Sequence, residues 1–167
     1  MSTAATHHEH KSHAPSSIGC MVITCSDTRT LETDTSGQLI RKLLEEQGHT
    51  VAAYHLVKDE PAQIKDRIQE GLSNKSVQAI IINGGTGISS RDSTFEAVDA
   101  MLEKRLVGFG DIFRYLTYQD IGSPAIMSRA TAGIIKGRVL FSTPGSENAV
   151  KLAMEKLILP ELGHLVN

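Results

Sequence analysis

Tryptophan is absent, cysteine occurs twice, and aromatic residues make up 4% of the 167-residue chain. Cys20 and Cys25 fall in one apolar segment, and on a strand their Cα atoms would stand roughly 16 Å apart, beyond disulfide reach. Their odd separation sends them to opposite faces. A disulfide scaffold is thereby excluded, and reduced thiols in a cytoplasmic protein are the simplest reading. An excess of one charge is lacking too, since 17 basic and 19 acidic residues leave a net charge of −2. A nucleic-acid binder would carry a strongly basic face, so that class is set aside. No apolar run approaches the ~20 residues of a membrane span, and no secretory signal is read. Scarce aromatics also weigh against a flavodoxin-like FMN domain, for which Tyr54, Tyr115 and Tyr118 are the only tyrosines available to stack on the ring.

What remains is ordinary for a globular chain, 40% apolar and 22% charged, and the length suits one domain. Residues 1–17 form a polar tail carrying His7, His8, His10 and His13, too poor in apolar surface to fold alone. No carboxylate or cysteine framework joins these histidines, so a solvated, disordered tail is expected rather than a metal site. From Ile18 the pattern alternates. Strands are expected over Ile18–Cys25, Thr50–Val57, Val77–Ile82 and Arg138–Ser142. Between them run amphipathic helices striped by Leu39, Ile40, Leu43 and Leu44; by Ile64, Ile68 and Leu72 behind Pro61; and by Phe95, Val98, Met101 and Leu102. Phe109–Leu116 reads as a further helix, Ser123-Pro124 opens a short segment through Ala130, and Val150, Ala153, Met154, Leu157 and Ile158 stripe the last helix. This is an α/β pattern: a single domain over 18–167, a mostly parallel sheet with helices on both faces.

The densest chemistry follows the strand at Val77–Ile82, in the run Asn83-Gly84-Gly85-Thr86-Gly87-Ile88-Ser89-Ser90-Arg91-Asp92. Its glycines can take positive φ and bring backbone N–H groups against a ligand. Ser93-Thr94-Phe95-Glu96 has capping-box spacing, with Ser93 as N-cap and Glu96 reaching back. Strand, glycine loop and helix start together suit an anion. The run is not a P-loop, because no Gly-Lys-Ser/Thr follows, and not a dinucleotide fingerprint, because a third glycine is missing. A turn that merely relieves strain would need fewer glycines, hydroxyls and charges.

Parallel sheets bind ligands beyond their C-terminal strand ends. That rule selects Ser26-Asp27-Thr28-Arg29, Lys58-Asp59-Glu60, the glycine loop, and Thr143-Pro144-Gly145-Ser146. Asp59 and Asp92, if they face one cavity, would hold Mg²⁺ bridging nucleotide phosphates. The competing role for Asp59 is to cap the helix that contains Pro61. Arg114 and Arg129 lie on amphipathic segments and read as solvated or ion-paired.

The glycine loop with Arg91-Asp92, Gly108-Phe109-Gly110-Asp111, Ser128-Arg129-Ala130 and Pro144-Gly145-Ser146 occur in this order in one family. Over Ile18 to the C-terminus the chain resembles the MoaB/MogA group of molybdenum cofactor biosynthesis proteins, and Ser26-Asp27-Thr28-Arg29 is similar to the MoaB branch. The resemblance implies a three-layer α/β molybdopterin-binding fold, assembled as a homotrimer or homohexamer. It implies molybdopterin adenylyltransferase (nucleotidyltransferase) chemistry with Mg²⁺ and ATP as co-substrate, no tightly bound prosthetic group, and delivery to a downstream molybdate- or tungstate-insertion protein. Carried over by position, Asp59 and Asp92 are the functional and magnesium-holding carboxylates. Ser26, Asp27, Gly84, Gly85, Thr86, Gly87, Ser89, Arg91, Ser128, Pro144, Gly145 and Ser146 bind substrate. Two positions depart from the pattern: Phe95 stands where many relatives have proline, and Glu147 where a small residue or proline is frequent. They leave room for the alternative function, a paralogue that binds molybdopterin without adenylylating it.

Overall fold

Strands that alternate between two apolar faces must be covered on both, and this sheet is. The computed structural model describes residues 15–166, and the histidines expected in a solvated tail, His7, His8, His10 and His13, lie outside them. In chain order the elements are β1 (Gly19–Cys25), α1 (Thr35–Glu46), β2 (Thr50–Val57), α2 (Pro61–Ser73), β3 (Ala79–Asn83), α3 (Thr94–Asp99), β4 (Lys104–Arg105), α4 (Val107–Ile121), a 3₁₀ turn (Ser123–Met127), β5 (Thr131–Ile135), β6 (Arg138–Thr143), α5 (Glu147–Ala153), a π-turn (Met154–Ile158) and α6 (Leu159–Val166). The strands form one six-stranded sheet in the order β2-β1-β3-β6-β5-β4. Pairs β2–β1, β1–β3 and β3–β6 are parallel, whereas β5 runs antiparallel to β6 and β4 antiparallel to β5.

The period of two along each strand divides the core. Cys20, Val22, Ala79, Ile81, Val139 and Phe141 pack with Ile40 and Leu44 of α1, Phe113 of α4 and Val150 of α5. Met21, Ile23, Cys25, Ile80, Ile82 and Leu140 pack on the other face with Ile64 and Ile68 of α2 and Val98 of α3. The result is the expected three-layer α/β arrangement. The two cysteines sit in different layers, as their spacing requires, and both are free thiols. Burial pushes each thiol up to about 12, so neither is a thiolate at neutral pH.

Several elements differ from the sequence pattern. The third strand begins at Ala79 rather than Val77, and α4 extends well past Leu116 to Ile121. Strands β4 and β5 carry no expectation from the sequence. The β5–β6 pair is a hairpin closed by Lys136 and Gly137, both at positive φ (45° and 71°), the primed-turn geometry that matches strand twist. The last helix is interrupted because Pro160 has no N–H to give. A π-turn accommodates it, with the Leu159 N–H bonding the Met154 carbonyl.

The start of α1 is tied to β2 through a buried carboxylate. Asp34 caps the helix by accepting from the Gly37 N–H at 3.0 Å and also accepts from the Tyr54 hydroxyl. Burial, then Asp34 itself, raises the Tyr54 hydroxyl well above its usual value. The loop between β1 and α1 is thereby held in place over the sheet end.

Candidate functional site

In the order β2-β1-β3, β1 lies between strands whose connecting helices α1 and α2 pack on opposite faces of the sheet, and a crevice opens at the strand ends where the connections change side. A cavity of about 380 Å³ lies there, beyond the C-terminal ends of β1, β3 and β6. Thr24, Cys25, Ser26 and Arg29 line it from the first loop, and Asn83 to Gly87 with Asp92 from the third. Pro144, Gly145 and Ser146 come from the last, Pro124 and Met127 from the 3₁₀ turn, and Ser128 from the residue that follows it.

The glycine loop is shaped by close approach. Gly84 and Gly85 have φ of 95° and 66°, where L side chains are strained. A Cβ on Gly84 would stand 2.2 Å from the Cys25 carbonyl, and one on Gly85 2.0 Å from Thr94 Oγ1 and 2.4 Å from Asp59 Oδ2. Its carbonyls are drawn backwards. Gly85 O accepts from the Thr94 N–H at 3.1 Å. Arg129 donates to Thr86 O at 2.8 Å and to Gly87 O at 2.6 Å. Gly85, Thr86 and Gly87 line the cavity, and their N–H groups meet no protein acceptor among the described residues.

Arg129 is thus a clamp rather than a solvated cation. Its guanidinium also pairs with Glu96 and lies 4.8 Å over the Phe95 ring. This accounts for Phe95, whose ring supports the arginine that holds the loop. It also overturns the capping box. Glu96 is spent on Arg129, which holds its carboxyl below the usual range, and Ser93 makes no side-chain cap. The cap is supplied from another loop. Asp59 Oδ1 accepts from the Ser93 N–H at 3.2 Å, Ser93 Oγ at 2.8 Å and Thr94 Oγ1 at 3.1 Å. Asp59 is buried and serves α3, whereas Glu60 occupies the N-cap position of α2.

The sequence-derived site residues therefore separate into two groups. Ser26, Gly84, Gly85, Thr86, Gly87, Asp92, Ser128, Pro144, Gly145 and Ser146 meet around the cavity. Asp27, Asp59, Ser89 and Arg91 stand behind or beside it. Arg91 Nε reaches Asp27 Oδ2 at 2.6 Å and its Nη2 reaches Glu60 Oε1 at 2.8 Å, while Asp27 Oδ1 also accepts from the Asp59 N–H at 3.1 Å. This strap joins the first three loops. The Arg91 guanidinium, then the Asp59 N–H, hold the Asp27 carboxyl below its ordinary value. The strap is consequently complete at neutral pH and is lost only as pH falls below the usual carboxylate range. Ser89 positions Asp92: its N–H donates to Asp92 Oδ2 at 3.1 Å. At the last loop, Ser146 caps α5 by accepting from the Ala149 N–H at 3.2 Å, and Glu147 adds an acid to that helix's first turn.

Sequence reasoning passed over Asn83, Thr24, Arg29, Pro124 and Met127 as individual wall residues. Asn83 is wholly buried, donating to Thr24 Oγ1 at 2.9 Å and to the Ile23 carbonyl at 3.4 Å. Its Oδ1 has no protein partner. Its signal was its place, a polar residue closing an apolar strand at the mouth of a glycine loop. For a metal, the described lining supplies one carboxylate, Asp92; Asp59 is not on the wall, its Oδ1 accepting three protein donors and its Oδ2 lying against Gly85. Among the described residues no group of three or more His, Cys, Asp or Glu side chains is arranged to hold an ion by itself. These residues fit a Mg²⁺ that arrives coordinated by phosphates, not a resident protein-caged ion.

Removing the clamp should loosen the loop. Arg129→Ala is expected to cost about 2 kcal/mol, a fall of roughly 5 °C in Tm, and to weaken ligand binding. Calorimetry and a binding titration check this; unchanged values in both would contradict the role given to Arg129.

Residues 21–164 match the family model described as "Probable molybdopterin binding domain". The chain is 56% identical over 159 residues to molybdenum cofactor biosynthesis protein B of Bacillus subtilis (strain 168), covering 95% of this chain and 94% of that one. A crystal structure of a molybdenum cofactor biosynthesis protein B superposes with a TM-score of 0.89 at 52% identity, over 92% of this chain and 96% of the other. The tungsten cofactor synthesizing protein MoaB from Pyrococcus furiosus gives 0.82 at 36% identity, over 92% and 97%. With the family model matched over residues 21–164 and these identities over nearly the whole chain, the chain belongs to the molybdopterin-binding family of molybdenum cofactor biosynthesis proteins.

Proposed function

We propose that the chain binds molybdopterin in this cavity and adenylylates its terminal phosphate with Mg-ATP, releasing pyrophosphate. The observation that carries the reading is the glycine loop, whose carbonyls are tied back while three N–H groups are left for an anion on the cavity wall. The terminal phosphate oxygen of molybdopterin attacks the α-phosphorus of ATP. A new P–O bond forms, the bond from the α-phosphorus to the bridging oxygen breaks, and pyrophosphate leaves with that electron pair. No protein nucleophile is needed. The thiol of Cys25, the one cysteine on the wall, is held protonated by burial.

The protein's task is positioning and charge balance. The N–H groups of Gly85, Thr86 and Gly87 hold phosphate oxygens, with the hydroxyls of Ser26, Thr86 and Ser128 available around them. Asp92, the carboxylate on the cavity wall, would hold Mg²⁺, which when bound would offset charge on the triphosphate. Asp59 acts at one remove by fixing the start of α3 against Gly85. Reduced thiols and the small charged substrates suit a cytoplasmic setting.

The same reading implies assembly into trimers, singly or in pairs, and an exposed apolar face on α4 supports it. Val107, Ile112, Tyr115, Tyr118, Ile121 and Ile126 are each at least 49% exposed along α4 and the turn after it. Such a patch is costly to leave in water. Light scattering after gel filtration is expected to give three or six chain masses, and a monomer at micromolar concentration would contradict it.

Pyrophosphate release from Mg-ATP and fresh molybdopterin tests the reaction. Release is expected to require molybdopterin and to fall by roughly 10²-fold in Asp92→Asn, with the assembly intact. Wild-type turnover by the variant would remove Asp92 from the site. Tight molybdopterin binding without any release would favour the binding paralogue.

A further inference from the structure

Three arginines stand near the glycine loop, and their partners decide which of them can meet a ligand. Arg91 is taken by two carboxylates, Asp27 and Glu60, so its charge is more than neutralised. Arg129 is paired with Glu96 and gives its remaining donors to the Thr86 and Gly87 carbonyls. Neither lines the cavity. Arg29 does, and among the described residues it is the sole arginine or lysine on the wall.

The contacts of Arg29 are lopsided. Nη1 donates to Thr35 Oγ1 and Ser36 Oγ, both at 3.3 Å, and lies 3.7 Å from Asp34 Oδ1. That carboxylate is already engaged by the Gly37 N–H and the Tyr54 hydroxyl. Nε and Nη2 meet no protein acceptor among the described residues. One edge of the guanidinium is therefore anchored to the start of α1, and the rest is left over. Its backbone is fixed as well, the Arg29 N–H donating to Ser26 Oγ at 3.1 Å. Ser36 in turn donates to the Gly145 carbonyl at 2.7 Å, which ties the arginine's anchor to the last loop of the wall.

A preorganised guanidinium with free donors, in a cavity whose other contribution to anions is neutral backbone N–H, is a phosphate ligand in waiting. We propose that Arg29 is the residue that receives a phosphate of the bound ligand by a charge-assisted hydrogen bond, and that Arg91, its apparent rival in the sequence, only straps the loops. The inference rests on the part of the proposed function that puts a phosphorylated ligand in this cavity, and it holds whether or not transfer follows. Two phosphates qualify, that of molybdopterin and those of ATP.

Titrations of the full chain with ATP, adenosine, molybdopterin and dephosphorylated molybdopterin separate the cases, using Arg29→Gln, Arg29→Lys and Arg91→Gln. Arg29→Gln is expected to weaken at least one phosphorylated ligand by roughly 10-fold or more while leaving its phosphate-free counterpart unchanged. Which ligand responds identifies the phosphate. Arg29→Lys should recover part of the loss, and Arg91→Gln should affect each ligand and its phosphate-free form alike. Equal weakening of both members of a pair by Arg29→Gln would reduce Arg29 to a tether for α1 and overturn the proposal. So would unchanged binding of both phosphorylated ligands. If wild-type protein binds none of the four, the proposed function fails instead.

Discussion

The site depends on the backward pull exerted on the glycine loop. A loop that spends its N–H groups on the protein cannot offer them to a ligand, and here they are released because the carbonyls are held from behind. The Arg129 guanidinium takes two of those carbonyls and the Thr94 N–H takes a third. Thr94 is in turn fixed by Asp59, whose Oδ2 would lie 2.4 Å from a Cβ on Gly85. A side chain at Gly85 would push this assembly apart. The loop is thus an outcome of packing across β2, β3 and the segment before β5, and not of its own sequence alone.

The same logic distributes charge. Around the cavity the acids and bases that look equivalent in the sequence are not equivalent in space. Arg91 is more than neutralised by Asp27 and Glu60 beside the cavity, Glu96 and Arg129 neutralise each other behind it, and Asp59 is absorbed as a cap. Among the described residues, the cavity is lined by one carboxylate, Asp92, and one guanidinium, Arg29, together with hydroxyl residues and the glycine loop. A sparse pair of opposite charges over neutral donors suits a polyanion carrying its own metal better than it suits a tightly held ion.

Much of this was legible in the chain. The near-continuous apolar runs over Ile18–Cys25 and Val77–Ile82, and the stripes at Ile40, Leu44, Ile64 and Ile68, reported a sheet covered on both faces, because a strand buried on both sides needs no polar alternation. The glycine loop and Pro144-Gly145-Ser146 could be placed at one sheet end by the rule for parallel strands. The β5–β6 hairpin was missed, although Lys136-Gly137 between apolar runs was a usable signal. Partner choice was not legible. Glu96 has capping-box spacing, yet Arg129, 33 residues away, outcompetes the backbone for it. Asp59 lies just ahead of Pro61, where local reasoning makes it a cap for α2, yet it caps α3. In both cases a long-range hydrogen bond decides, and spacing carries no record of it.

The central claim is that Gly85, Thr86 and Gly87 keep their N–H groups for phosphate. Backbone ¹⁵N–¹H resonances followed during titration with molybdopterin and then Mg-ATP test it directly. The account predicts downfield shifts of these three amides on addition of a phosphorylated ligand, while those of Gly48 and Gly137, in turns remote from the cavity, stay in place. Saturable binding that leaves all three unmoved would contradict it.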